Sequence, residues 1–241
     1  AELKPDFDRL TQLSPEYSTG LNLGAEYRPS PTFNIRVNGF RNDIRSLIDV
    51  RQVATRIDGS QIFSYLNVKR AFTAGIETEF RWQWKSHWQW KSRWEFSGGY
   101  QWLRSGDKDE WARIKKGLEY TRSSDGTSRV MNKNEYVGLP NRSKHQAQFK
   151  LTYQPSETRF IFLRCLYRSR WTVANSNGNG VHDVQDESAN GFVQINLSGG
   201  LPLRKNLQLQ AGIENLLNHQ DISYLPNFPG RNLYLTLNFK L

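Results

Sequence analysis

Apolar and polar residues alternate one for one along most of this chain. The clearest run lies at its end, where Leu233, Leu235, Leu237, Phe239 and Leu241 alternate with Asn232, Tyr234, Thr236, Asn238 and Lys240. A period of two puts each set on its own face of an extended strand. The same alternation fills 207–214, 193–198 and 146–153, and it is longest from Phe72 to Trp84. After Lys85-Ser86-His87 it resumes, with Trp88, Trp90, Trp94, Phe96 and Tyr100 facing one way and Gln89, Lys91, Arg93, Glu95 and Gln101 the other. Two earlier strands, around Leu21–Tyr27 and Phe33–Val37, meet at Pro29-Ser30-Pro31. The stretch from Arg159 to Trp171 is less regular; setting Ile161, Leu163, Cys165 and Tyr167 on the apolar face turns Arg164, Arg168 and Arg170 to the polar one. The pattern predicts an all-β, antiparallel, up-and-down sheet of about nine strands.

The connections alternate in length as well. Short links fall near 29–31, 85–87, 154–157 and 202–206, and long ones over roughly 43–67, 104–143 and 172–191, with a middling one at 217–230. Short turns at one end of a sheet and long loops at the other describe strands crossing a slab, as in a membrane β-barrel. A soluble sandwich does not sort its loops this way.

Composition is compatible with that reading. Only 37% of the 241 residues are hydrophobic and the net charge is +10. No run approaches the ~18 apolar residues of a membrane helix, whereas a barrel needs apolar side chains at alternate positions alone. Eight Trp, ten Tyr and thirteen Phe are a heavy aromatic load for so polar a chain. Trp82, Trp84, Trp88 and Trp90 crowd around one short turn on the apolar face, where an aromatic girdle at the lipid–headgroup boundary belongs. A soluble core would need a second apolar layer to cover them, and no segment supplies it. Basic and aromatic residues go to opposite faces, which excludes a nucleic-acid interface built on one common surface. Cys165 is the single cysteine, so an intrachain disulfide and a cysteine metal cage are both excluded. The chain opens without a secretory leader, as expected of a processed product or of part of a longer one.

Five elements in order resemble the TonB-dependent outer-membrane receptors, in the C-terminal half of their barrel. They are Leu13-Ser14-Pro15-Glu16 (with Leu3-Lys4-Pro5-Asp6 a near copy), Gly39-Phe40-Arg41-Asn42-Asp43-Ile44, Asn67 with Gly75-Ile76-Glu77, Leu139-Pro140-Asn141-Arg142, and Glu214-Asn215-Leu216-Leu217-Asn218 leading to the final strand. The resemblance implies an outer-membrane barrel of about 22 strands around a plug, energised by the TonB complex and importing a siderophore, haem or cobalamin type of nutrient. The plug and the remaining N-terminal strands are then expected as another chain. Nine antiparallel strands point the same way, because the first and last run parallel and cannot close on each other as bacterial barrels do. Outer-membrane lipid, lipopolysaccharide and a surface lipoprotein are further expected partners.

No catalytic constellation emerges, no cofactor is expected, and a small outer-membrane enzyme or a passive porin is the alternative. Glu77 and Glu79 are expected to face a polar lumen with Arg81, pairing with Arg81 or Arg93 or touching the plug, as are Arg164, Arg168 and Arg170. Trp111, Tyr120 and Tyr136 in the longest loop are candidate ligand-stacking residues, with Arg113, Lys115 and Lys116 adding charge for a ligand or for lipopolysaccharide. His182 is a candidate haem ligand, and Asp183, Asp186 and Glu187 beside it a candidate cation site. Gly98-Gly99 and Gly199-Gly200 are expected to let the strands bend or the plug approach closely.

Overall fold

The computed structural model describes residues 13–57, 60–85, 92–122, 127–173 and 188–239. Its elements are β1 (Tyr17–Ser30), β2 (Phe33–Thr55), β3 (Gln61–Lys85), β4 (Arg93–Asp107), α1 (Lys108–Lys115), β5 (Tyr120–Arg122), β6 (Ser128–Val130), β7 (His145–Ser156), β8 (Arg159–Arg168), β9 (Trp171–Thr172), β10 (Ser188–Ala189), β11 (Phe192–Arg204), β12 (Leu207–Glu214) and β13 (Asn232–Phe239). Nine of them form one sheet in the order β1-β2-β3-β4-β7-β8-β11-β12-β13, each pair antiparallel. β5 with β6, and β9 with β10, are small hairpins set into two of the loops.

Register keeps the two faces apart across the sheet. One row reads Tyr27, Ile35, Phe80, Gly98, Phe149, Cys165 and Ile195 from β1 to β11. The next row over reads Asn34, Arg81, Ser97, Lys150, Arg164 and Asn196. A slip of one residue at any pair would mix the two sets, so the faces hold only because every register agrees. Away from the loop end the apolar face has no protein cover among the described residues: Leu23 is 80% exposed and Leu235 69%. Burial of side chains in this chain is confined mainly to the loop end, where Ile114 and Met131 pack with Tyr136.

One glycine of each strand pair, Gly98 and Gly200, is accounted for by ring packing within the sheet. A Cβ on Gly98 would sit 2.6 Å from the ring of its cross-strand partner Phe80, and one on Gly200 would strike Phe160 in the same way. Each ring lies over the bare backbone of the opposite strand, so the space is filled by this chain's own aromatic residues.

The sheet is open. β1 and β13 each pair along one side only, and every unpaired backbone group would cost several kcal/mol in hydrocarbon.

The connections sort as expected, with one correction. The 43–67 segment is no loop: β2 and β3 continue their ladder to Thr55 and Gln61. About ten residues of β3 thus run beyond the last β4 partner, Asp107, and project about 33 Å as a two-stranded ribbon. β3 ends at Lys85 and β4 is described from Arg93; the expected continuation through Trp88 and Trp90 lies outside the described residues.

The ribbon has a built base. The ladder skips Ser46, whose φ is 55°, between Arg45↔Arg70 and Leu47↔Val68. Asn67 Nδ2 donates to the Ser46 carbonyl (2.7 Å) and the Ser14 carbonyl (3.0 Å), while its Oδ1 accepts from the Ser14 amide (2.8 Å). Glu16 accepts from the Ile48 amide at 3.1 Å. Two of the recognised motifs, at 13–16 and at Asn67, therefore hold backbone in place.

Candidate functional site

The apolar face carries aromatic rings at both ends. At the turn end Trp82 stacks on Phe96 (5.4 Å between centroids), and Trp94 stacks on Phe96 (6.1 Å) and Tyr153 (4.1 Å); Trp84 pairs opposite Trp94. At the loop end Tyr100 stacks on His145, with its hydroxyl 2.7 Å from Nδ1, beside Trp102 and Tyr167. Eight residues of β4 separate Trp94 from Trp102, about 26 Å along the strand. Tilted by 35–45°, that length rises about 20 Å, somewhat less than the apolar band of a membrane barrel, about 25 Å tall with an aromatic girdle at each border. The second girdle escaped the sequence reading because its rings come singly from separate strands.

The longest connection, 108–144, is organised around α1. Asp107 caps the helix, its carboxylate accepting from the amides of Asp109 (2.7 Å) and Glu110 (3.3 Å). Gly117, with φ of 70°, ends it, and Leu118 N reaches back to the Arg113 carbonyl. Trp111 and Tyr136 face each other at 5.7 Å, and Arg104 and Lys115 sit 4.7 and 5.5 Å from the Trp111 ring. The Tyr136 hydroxyl accepts from the Asp107 amide (2.8 Å) and donates to Glu110 (3.2 Å). Burial pushes its phenol far above the ordinary range, so it stays a neutral donor.

This assembly belongs to the apolar side of the sheet. Arg104 pairs with Ala74 and Gly106 with Phe72, in the same parity as Trp102 and Tyr100. A Cβ on Gly106 would lie 2.8 Å from the Tyr136 ring. Arg70 binds Asp109 (2.5 Å) and Lys108 binds Asp43 (2.7 Å), fastening the helix start to the same face. Tyr120 stands exposed on the β5–β6 hairpin. His182, with Asp183, Asp186 and Glu187, lies outside the described residues.

The polar face holds the remaining candidates. Glu77 accepts from Gln101 (2.6 Å), and Arg81 pairs with Glu95 (2.9 Å); neither glutamate at 77 or 79 takes Arg81 as its ion partner. Glu79 borders a cavity of about 530 Å³ with Arg28, Arg36, Arg81 and Lys150. Arg164 lies directly opposite Lys150 on one side and Asn196 on the other, its buried Nε without a hydrogen-bond partner among the described residues. Arg168 donates to the Ser143 hydroxyl (2.6 Å) and the Asn141 carbonyl (3.1 Å) and stacks on Trp171 at 3.8 Å. It ties down the Leu139-Pro140-Asn141-Arg142 motif. Arg170, placed on the strand by the sequence reading, falls beyond the end of β8 and is exposed. Near the loop end, Phe228 of the 215–231 connection meets Phe192 (5.4 Å) and His219. These rings cap a second polar-face cavity of about 550 Å³ lined by Glu77, Gln101, Gln148 and Gln194.

Residues 3–216 match the family model described as TonB dependent receptor-like, beta-barrel. The chain belongs to this receptor family. Its fold matches that of solved structures of the kind: a copper transporter, OprC (17% identity, TM-score 0.60, 95% of this chain and 32% of that one), and the ferric-catecholate import receptor Fiu of E. coli K12 (15%, 0.58, 99% and 29%). A third is a mutant ferric enterobactin receptor, PfeA, of Pseudomonas aeruginosa in complex with enterobactin (18%, 0.60, 93% and 31%). The chain spans about a third of the length of these structures. No curated protein sequence matches it.

In a TonB-dependent receptor barrel the apolar face is the lipid-facing outside and the polar face lines the lumen. Glu77, Glu79, Arg81, Arg164 and Arg168 lie on the polar face of the sheet and Trp82 and Trp84 on the apolar one, while Trp111 and Tyr136 pack over the loop end of the apolar face.

Proposed function

We propose that this chain contributes nine strands to an outer-membrane importer of a bulky, scarce nutrient of the siderophore, haem or cobalamin type, energised by TonB. The rest of the barrel and a plug come from polypeptide beyond this sequence. The observation that carries the reading is the lumen wall of an open, family-type sheet. Lys150 and Arg164 stand side by side across β7 and β8, and like charges directly opposite are unfavourable. An acidic surface of a plug filling the lumen would offset them. The ligand is assigned to the lumen cavity under Phe192 and Phe228, an apolar rim over amide and carboxylate groups.

The test uses cells that make this chain with the polypeptide completing its barrel. The receptor should fractionate with the outer membrane and support TonB-dependent uptake of a ferric chelate. Reversing both charges (Lys150→Glu with Arg164→Glu) should lower uptake and raise passive leakage by loosening the plug. Passive conductance in the unaltered receptor, with uptake indifferent to TonB, would overturn the proposal in favour of a porin.

A further inference from the structure

The polar face changes character from row to row. Nearest the loops, Glu77, Gln101, Gln146 and Arg168 stand opposite one another across β3, β4, β7 and β8. The next row toward the turns holds Glu79, Gln148 and Gln194, and the one after it Arg81, Lys150 and Arg164. The first two rows line the cavity of about 550 Å³ beneath Phe192 and Phe228, and the third does not. Gln101 donates to Glu77 at 2.6 Å, while the side-chain amides of Gln146, Gln148 and Gln194 are free among the described residues. Gln148 lies across the bare backbone of Gly99, its Nε2 3.7 Å from where a Cβ would stand. Neither Glu77 nor Glu79 forms an ion pair among the described residues. Arg168 is the one cation among the described lining residues, and Ser143, Asn141 and the Trp171 ring already engage its guanidinium.

A primary amide offers donors and acceptors without charge. Such a wall complements hydroxyl, amide or hydroxamate groups and supplies no counter-ion to an anion. A polyanion entering here meets two uncompensated carboxylates, and like charges at short range repel more strongly beside protein than in bulk water. A repulsive element of this kind separates ligands that otherwise share size and shape. The rings of Phe192 and Phe228 cover an apolar flank regardless of charge. The basic row lies deeper, so its cations do not offset the carboxylates at the cavity itself. We propose that this cavity sorts chelates by charge, admitting those whose rim is uncharged or cationic and bears amide, hydroxyl or hydroxamate groups, and turning away polyanions. The inference rests on the assignment of the ligand to this cavity made above and narrows it: haem, with its two carboxylates, and tricatecholate chelates fall outside.

The experiment purifies the completed receptor from outer membranes in mild detergent. Equilibrium dialysis then measures its affinity for a neutral ferric trihydroxamate, cobalamin, a trianionic ferric tricatecholate and haem. At least one of the first two should bind, about tenfold or more tightly than either anion. Glu77→Gln with Glu79→Gln should cut that preference about tenfold by strengthening anion binding, with the uncharged probe held within about twofold. Gln148→Leu with Gln194→Leu should weaken the uncharged probe about tenfold. A control removing the same charge at the turn end, Glu95→Gln with Glu157→Gln, should alter neither affinity. Heat-dependent gel mobility of each variant reports whether the barrel has assembled. Anions bound as tightly as the uncharged probes, no binding of either uncharged probe, or the same shift in the control pair would each overturn the proposal. The transport reading fails separately: a charge preference in a receptor whose uptake ignores TonB would sink the importer and leave the sorting intact.

Discussion

The 108–144 and 215–231 connections leave the same end of the same sheet, and both carry aromatic and basic residues, yet they lie on opposite sides of the wall. The first leans outward: Tyr136 covers Gly106 and Arg104 stacks on Trp111, all in register with the lipid-facing girdle. The second folds inward, setting Phe228 and His219 against Phe192 at the lumen cavity. An aromatic loop residue is therefore no indication of ligand contact by itself. What decides is the parity of the strand residue it packs on. The two also differ in how they are held, the outer one by a capped helix with ion pairs and the inner one by ring packing and neutral hydrogen bonds centred on the buried amide of Asn215.

That difference is open to attack. The largest effect is expected at Asn215, which is 1% exposed. Its Nδ2 donates to the carbonyls of His219 (2.8 Å) and Pro229 (3.0 Å), and its Oδ1 accepts from His219 N (3.0 Å). It also sits at φ of 50°, which asparagine tolerates better than most residues. Asn215→Ala should cost about 3 kcal/mol, from lost hydrogen bonds and an unfavourable backbone. Hydrogen exchange across 216–231 in the membrane-embedded receptor should accelerate accordingly, and 108–144 should not change. Asn215→Gly restores the backbone and not the bonds, so it should recover only part of the loss. Equal protection in both variants and the original would show that packing of Phe228 holds the loop unaided.

The outer loop should respond less to any one change, since its anchors are shared. Tyr136→Phe keeps the ring over Gly106 and removes the hydroxyl between Asp107 and Glu110. A loss of about 1 kcal/mol is expected, read as faster exchange at 107–111 with the inner loop unaffected. An effect as large as that of Asn215→Ala would mean that this loop too hangs on one group.

How much of this was legible in the sequence follows from where the determinants lie. Alternation at 72–84 and 232–239 marks both faces because a strand's side chains carry their parity locally, and nine strands follow in order. Asn67, Asn141 and Asn215 were visible as motif letters, but their tasks were not. Asn67 binds backbone 53 residues away, and the Asn141 amide is tied to the Thr172 carbonyl. The segment 43–67 was misread because Asp43, Asp49, Arg51 and Arg56 look like loop residues. Their backbone nevertheless continues the β2–β3 ladder to Thr55 and Gln61, past the last β4 partner, where no third strand demands an apolar face. α1 was missed as well, though Asp107 before Lys108-Asp109-Glu110 and Gly117 after Lys116 are ordinary start and stop signals. Trp111 and Tyr136 could not be assigned a side without the register of β3 and β4.

The smallest expected effect is a pH response confined to the outer loop. Arg129 pairs with Glu135, and Glu135 also accepts from the Asn132 amide at 2.7 Å. The Arg129 guanidinium, helped by that amide, holds the Glu135 carboxyl below its ordinary value of 4.5. A carboxyl depressed in the folded state contributes its stability above the unfolded value and loses it as pH falls through the folded one. The β6 end of the loop should thus be fully pinned above about pH 5 and loosen on acidification below about 4.5, where the unfolded side chain begins to hold its proton more tightly than the folded one. The pair is partly exposed, so the change in exchange at 129–135 should stay below about threefold after correction for intrinsic rates. Glu135→Gln should abolish it. The inner loop, held by the neutral amide of Asn215, should show no such dependence at 215–218. If it does, the contrast between an ion-paired outer loop and an amide-pinned inner one is wrong at its smallest scale.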